Sequence, residues 1–310
     1  MSVASAANEV SAERAANPAE NPVENAYLTE LYTVMTLGEK RDDRTGVGTY
    51  SLFGRHMSFD LTQGFPLLTT KRVPFRHVVH ELFWFLSGST STEYLKQHGV
   101  KIWEKNSSEE FLRSRGLDYP AGSIGPLYGF QWRNFGGVAE HDHKGVSEPR
   151  RGVDQIARVL DILRSDPTSR RMVISAWNPC DLDKVALEPC HVLFQLYVRE
   201  GKYLDGSLYM RSNDLFLGAP WNIACYSLLI SLYARLAGYT PGRLVYTVGD
   251  AHVYANHLEQ VGEQIQREPR AFPRLVIRDR GQQSIDDFVA EDITIEGYNP
   301  WPAIQADMAI

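Results

Sequence analysis

Pro189-Cys190-His191-Val192-Leu193-Phe194-Gln195-Leu196-Tyr197-Val198-Arg199-Glu200-Gly201-Lys202-Tyr203-Leu204-Asp205-Gly206-Ser207-Leu208-Tyr209-Met210-Arg211 is the stretch that decides the fold. Residues 191–198 and 203–211 read as two strands joined by a short turn at Glu200 and Gly201. Downstream, 223–237 is an apolar run stopped by Gly238, which predicts a largely buried helix. Upstream, 171–177 reads as another strand, while Val78, Val79, Leu82, Phe83 and Leu86 share one helical face between Pro74 and Gly88. Residues 257–267, halted by Pro269, predict a helix with a polar face. These signals alternate irregularly, so the fold class expected is α/β (α+β), a single domain in which helices pack on a mixed sheet.

The rest of the chain sets limits on function. It has 310 residues, 43% hydrophobic and 23% charged, with a net charge of −6. That balance gives no global field for nucleic acid or an anionic membrane, so an anionic ligand needs a local arginine cluster. Cys180, Cys190 and Cys225 are too scattered for a disulfide framework or a zinc site, which points to a reducing compartment, expected to be the cytoplasm, and to no metal. Residues 1–25 lack the apolar run of a signal peptide and are expected to be a disordered leader before a domain at 26–310. No apolar run reaches the roughly 20 residues of a membrane span. Residues 135–152 read as a polar surface loop, in which His141 and His143 are expected to be solvated rather than metal-bound.

Chemistry-bearing residues cluster in a few places. Cys190 begins a strand, where a ligand can reach it, although a lone cysteine is more often a small hydrophobe. Arg44 lies in a glycine-rich turn, Arg170 and Arg171 precede one strand, and Arg211 ends another. Four guanidinium groups without evident carboxylate partners suggest a phosphate clamp, because arginine matches phosphate oxygens bidentately. Glu81 falls on the apolar face of its helix, where burial raises a carboxyl's pKa toward the range useful for proton transfer, or where it is held structurally. Asn222 opens a helix, either as its cap or as an amide that reads a base edge. His252 and Tyr254, two apart in an extended segment, point the same way and could grip a sugar hydroxyl.

Several blocks occur together: Arg44-Thr45-Gly46-Val47-Gly48-Thr49, His80-Glu81-Leu82-Phe83-Trp84, Tyr128-Gly129-Phe130-Gln131-Trp132-Arg133, Arg170-Arg171, Pro189-Cys190-His191, Arg211-Ser212-Asn213-Asp214, Asn222-Ile223-Ala224, Gly249-Asp250-Ala251-His252-Val253-Tyr254 and Glu296-Gly297-Tyr298-Asn299-Pro300. In this order, over nearly all of the chain, they resemble the thymidylate synthase family. The resemblance implies that family's fold, with sheets packed back to back in a homodimer, and the reductive methylation of dUMP to dTMP. Its co-substrate is 5,10-methylenetetrahydrofolate, giving both the one-carbon unit and the hydride. By the same resemblance Cys190 is the thiolate that adds to uracil C6, favoured by nearby arginines, Arg211 above all. Arg44, Arg170, Arg171, Arg211 and Ser212 match the phosphate site, with Arg170 and Arg171 reaching in from the other subunit. Asn222 matches the reader of uracil N3 and O4, His252 and Tyr254 the sugar contacts, and Tyr128 the residue that helps remove the C5 proton. His191 belongs to the substrate site and Glu81 relays protons. Asp214 holds the pterin, while Ile102, Trp103, Leu217, Gly218, Trp221 and the C-terminal residues including Ala309 line the folate site.

The chain departs from the family's usual residues at Glu104, Glu188, Met210 and Trp221, which bears on affinity more than on reaction type. Two other functions compete. A nucleotide hydroxymethylase of the same superfamily is disfavoured by Trp103 and Asn222. A non-enzymatic nucleotide- or RNA-binding protein is disfavoured by the intact set of Cys190, Glu81, Tyr128 and Asn222, although RNA binding alongside catalysis is left open.

Overall fold

The hairpin at the centre of the sequence supplies two inner strands of a six-stranded sheet. The computed structural model describes residues 21–138 and 151–307, so residues 1–20, His141, His143 and Ala309 lie outside the described residues. Strands β4 (His191–Arg199) and β5 (Tyr203–Asp214) pair antiparallel. Lys202 N–H closes their turn on Arg199 O at 3.1 Å. Glu200 and Gly201 take φ of 57° and 61° there, the left-handed pair whose twist suits a tight hairpin.

Helix α7 (Gly218–Ala237) follows β5 and carries the chain over to β6 (Thr240–Tyr254), which lies parallel to β5. It is apolar on nearly every side and correspondingly buried, and Gly238 ends it at φ 78°. Strand β2 (Thr49–Asp60) pairs antiparallel with β6, and the short strands β1 (Glu39–Arg41) and β3 (Val173–Ser175) close the two edges. β3 is shorter than the 171–177 strand expected, because it pairs with β4 over three residues only.

The first helix corrects the sequence expectation for the leader. Helix α1 (Pro22–Leu37) begins inside residues 1–25, with Asn21 capping Glu24 N–H at 3.2 Å and Pro22 in the first turn. Glu24 is fully buried, and its two oxygens accept the N–H and O–H groups of Thr69 and Thr70 at 2.7–2.9 Å. Residues 21–25 therefore belong to the folded domain.

Helices α2 (Phe75–Leu86), α3 (Glu93–Gln97), α4 (Glu109–Ser114), α5 (Tyr128–Asn134), α6 (Gln155–Ser165) and α8 (Leu258–Gln266) complete the layer, with a separate ribbon of β7 (Arg274–Ile277) and β8 (Ile293–Glu296). The core between sheet and helices is filled by Trp84, Trp132, Phe194, Phe216, Tyr226 and Tyr233. On the sheet's other face Leu193 and Tyr209 stand directly opposite one another and, with Tyr197, are exposed. Among the described residues no helix is long and apolar enough to cross a membrane.

This topology builds one functional end of the sheet. Parallel β5 and β6 finish there, antiparallel β4 starts there, and α7 springs from the end of β5. Cys190, residues 211–214, residues 250–254 and the first turns of α7 are thereby gathered from four separate parts of the chain.

Candidate active site

A cavity of about 540 Å³ opens at that end of the sheet, within the range of small-molecule sites. It brings together Cys190, His191, Arg211, Ser212, Asp214, Asn222, His252 and Tyr254 from the strand ends and α7, Glu81 from α2, Tyr128 from α5, and Arg44 from the turn before β2. Ile102, Trp103, Leu217, Gly218 and Trp221 form its flat apolar part. Arg170 and Arg171 do not line it. They are exposed on the segment before β3, at the far edge of the sheet.

Cys190 is held by its main chain. Its N–H donates to the Tyr128 hydroxyl at 2.8 Å, and its carbonyl accepts from Arg211 N–H at 3.0 Å. The Arg211 side chain adds Nε to Pro189 O and Nη2 to Glu188 O, both at 2.9 Å, so its partners are carbonyls of the cysteine's own loop, not carboxylates. The arginines act on Cys190 in the direction expected, Arg211 most strongly, but burial opposes them. Burial pushes the Cys190 thiol up from its ordinary value; Arg211 and, less strongly, Arg44 pull it down, and Glu188 pushes it up. Desolvation of the anion wins, so the thiol is neutral before substrate arrives.

Glu81 is buried. Burial in the helix layer pushes it up to about 7, against the indole N–H groups of Trp103 and Trp221 at 2.8 and 2.5 Å. Burial likewise pushes His191 down to about 4, although Asn222 bonds its ring, so this imidazole is neutral at pH 7. Its Nδ1 lies 3.1 Å from the Tyr226 hydroxyl.

Asn222 does not cap its helix. α7 starts at Gly218 with Leu217 in the cap position, which places Asn222 in the second turn, buried between His191 and Tyr246. No side chain caps the helix; Asp214 instead closes the turn before it, its Oδ1 accepting the N–H groups of Phe216 at 2.8 Å and Leu217 at 3.2 Å. Proline at 220 sits in the first turn, where its missing N–H costs little.

His252 and Tyr254 do share a side of β6, with ring centroids 5.3 Å apart. Burial disfavours a charged His252, but Asp250, in contact at 3.3 Å, and Asp214 together outweigh that and raise its pKa. Asp250 also accepts from Ser51 at 2.6 Å. At the mouth, Asp43 ties the Arg44 turn by accepting from Thr45 N–H, Thr45 hydroxyl and Gly48 N–H at 2.9, 2.6 and 2.7 Å.

Sequence reasoning missed Lys71. It is buried, its Nζ stands 3.5 Å from the Phe216 ring centroid and donates to Phe216 O, and burial pushes its pKa down to about 7 while Asp214 pulls it up. The signal lay in a cation within the apolar surroundings of Thr69-Thr70-Lys71. Asn213 was also missed as a site residue; it lines the cavity and accepts from Tyr246 at 2.9 Å. Among the described residues no group of three or more His, Cys, Asp or Glu is placed to hold a metal ion.

A strand-borne thiol that shares a buried cavity with an acid near neutral pKa, a buried amide and surrounding arginines defines an enzyme of covalent nucleophilic chemistry on a small anionic substrate. Comparison with known proteins narrows that class. The chain belongs to the thymidylate synthase family, whose sequence model matches residues 25–310. It is 48% identical to the human protein named thymidylate synthase over 299 residues, 96% of this chain and 94% of that protein. It is 49% identical to thymidylate synthase 1/2 of Encephalitozoon cuniculi over 288 residues, 92% of this chain and 97% of that protein. A bifunctional dihydrofolate reductase-thymidylate synthase of Zea mays is 46% identical over 288 residues, 93% of this chain and 54% of that longer protein.

Proposed function

We propose that this chain methylates dUMP reductively to dTMP, with Cys190 as the nucleophile. The observation that carries the reading is the convergence of Cys190, Asn222, Tyr128 and Glu81 on one cavity from four different elements. Arg44, Arg211 and Ser212 hold the nucleotide phosphate at the mouth, and His252 and Tyr254 hold the sugar. Asn222 presents an acceptor to uracil N3–H and a donor to O4, its orientation set by His191 and Tyr246. The phosphate draws in the arginines while the base displaces water, and Cys190 adds to C6 as its proton leaves. Negative charge then passes into the ring toward O4 and C5. Glu81, near neutral pKa, moves the proton that this charge calls for, and Tyr128 helps to take the proton from C5.

The flat wall of Ile102, Trp103, Leu217, Gly218 and Trp221, edged by the Asp214 carboxylate, fits a heteroaromatic ring with N–H donors. 5,10-Methylenetetrahydrofolate, when bound there, supplies the one-carbon unit and the hydride. Residues 298–307 are pinned to the domain by Tyr298 hydroxyl to Leu68 O at 2.8 Å, Trp301 N–H to Thr69 O at 2.7 Å and a contact of His257 with Asp307 O at 2.7 Å. The same reading gives the chain's last residues, Ala309 among them, the task of excluding water from the folate site.

The unit of function is a homodimer joined through the sheets. The exposed apolar face of Leu193, Tyr197 and Tyr209 supports this, and in this reading Arg170 and Arg171, at the sheet edge away from their own cavity, serve a partner's. Three free thiols suit a reducing compartment such as the cytoplasm. Incubation with dUMP and 5,10-methylenetetrahydrofolate should yield dTMP and dihydrofolate, and Cys190→Ala should abolish the products. Hydroxymethyl-dUMP with tetrahydrofolate would establish the hydroxymethylase instead, and absence of turnover a binding protein.

A further inference from the structure

Trp221 does more than line the cavity. Glu81 carries two indole donors, one on each oxygen: Trp103 Nε1 to Oε1 at 2.8 Å and Trp221 Nε1 to Oε2 at 2.5 Å. The donors come from different elements, Trp103 from the segment after α3 and Trp221 from the first turns of α7, one residue before the buried Asn222. An indole N–H can only donate. It therefore fixes a carboxylate oxygen without being able to accept the acid's proton, and any proton that Glu81 takes up must occupy a lone pair the indoles leave, on the side open to the cavity. The phenyl ring usual in the family at this position would keep the apolar wall and lose the second bond.

We propose that Trp221 is a positioning residue of the reaction: with Trp103 it locks both oxygens of Glu81 and sets how readily this carboxyl gives up and regains its proton. The inference rests on the reading of Glu81 as the proton-handling group. Charge-assisted bonds to a carboxylate favour its ionised form, so each indole opposes the burial that pushes Glu81 up. The titratable groups facing Glu81 do not compete near neutral pH. Cys225 and Tyr226 on α7 and Tyr128 on α5 are pushed up by burial, Cys190 likewise, and His191 is pushed down to about 4, leaving all five uncharged. The cavity's charged groups, Arg41, Arg44, Arg211, Asp42, Asp43, Asp214 and Asp250 with His252, belong to its strands and mouth loop and not to the helices around Glu81.

The test separates the N–H from the ring. Replacing Trp221 by benzothienylalanine keeps the bicyclic shape and removes the donor, and Trp221→Phe supplies a second, genetically simple variant. The Glu81 carboxyl is titrated by carbon-13 NMR of glutamate-labelled enzyme, assigned by its loss in Glu81→Gln, beside the pH profile of kcat. In both variants the carboxyl should titrate higher by about one pH unit, roughly a tenfold rise in proton affinity, and the matching limb of the kcat profile should move with it. An unshifted carboxyl overturns the inference and leaves the reading of Glu81 standing. A shifted carboxyl with an unshifted rate profile instead removes the proton-handling reading on which the inference rests.

Discussion

Changing Glu81→Gln should stabilise the protein as pH rises, relative to the parent, while destroying its activity. Burial holds this carboxyl at about 7 against an ordinary 4.5, a gap of about 2.5 pH units, so the group is linked to folding on the order of 3 kcal/mol. A raised carboxyl pKa stabilises the folded state fully below 4.5, where both states carry the proton. Between 4.5 and about 7 the unfolded chain ionises first and folding stability falls with rising pH, and above about 7 the loss is complete. Glutamine has no proton to lose. It does turn one NH₂ donor toward an indole N–H, which costs a constant amount independent of pH. The informative quantity is therefore the slope: the Tm difference between variant and parent should grow in the variant's favour by roughly 5–10 °C from about pH 4.5 to about pH 8. Thermal unfolding of both proteins across that interval measures it, with kcat of the variant expected to fall on the order of 10²–10⁴-fold. A Tm difference that stays constant with pH would refute a strained, buried acid at this position.

Mixing inactive Arg170→Glu subunits with inactive Cys190→Ala subunits should restore up to about half of the activity per heterodimer, because one site is then intact; verified heterodimers that stay inactive would mean that the arginines serve their own chain. Asn222→Asp should lose activity on dUMP and gain relative activity on dCMP, since a mismatched base edge costs on the order of 1–3 kcal/mol per unpaired group; unchanged kcat/KM for the two nucleotides would remove Asn222 from base selection. Glu24→Ala leaves the Thr69 and Thr70 donors without their acceptor and should lower stability by at least about 2 kcal/mol, checked by chemical denaturation; a neutral result would mean that water satisfies these groups equally well.

What could be read from the sequence was what local pattern encodes. The β4–β5 hairpin announced itself through alternating residues and a two-residue turn, α2 through its apolar face, and Glu81 through being a carboxylate on that face. Cys190 was ambiguous alone and became legible only beside its neighbours' motifs. The misses have physical causes. The sequence left Asn222 open between a cap and a base-reading amide, because it does not show that α7 already starts at Gly218, after a turn closed by Asp214. Residues 21–25 looked like leader because their composition matches what precedes them. Their order comes from Glu24, whose partners lie 45 and 46 positions away. The parallel pairing of β5 with β6 is likewise a long-range property that no local period carries.

Those long-range contacts meet at one segment, residues 68–71, and this explains why parts so distant in sequence serve one site. Glu24 fixes Thr69 and Thr70 from the first helix. The C-terminal strap is tied to the same segment by Trp301 N–H on Thr69 O at 2.7 Å, and Arg267 bonds both Thr70 O and Pro302 O, at 2.9 and 2.6 Å. Trp301 rests under the Arg270 guanidinium at 4.6 Å and donates to Glu268 O at 2.9 Å, so the strap is clasped on both sides. From the next residue Lys71 reaches Phe216 O, within the turn that Asp214 closes and from which Leu217 and Trp221 enter the cavity. Hydrogen bonds thus connect residues 298–302, through residues 68–71, with the turn that leads into α7. The buried amine that completes this link has its pKa pushed down to about 7, so holding it charged beside Asp214 costs little more than holding it neutral. Packing of this kind couples the two bonding sets, because neither can relax without releasing buried polar groups of the other.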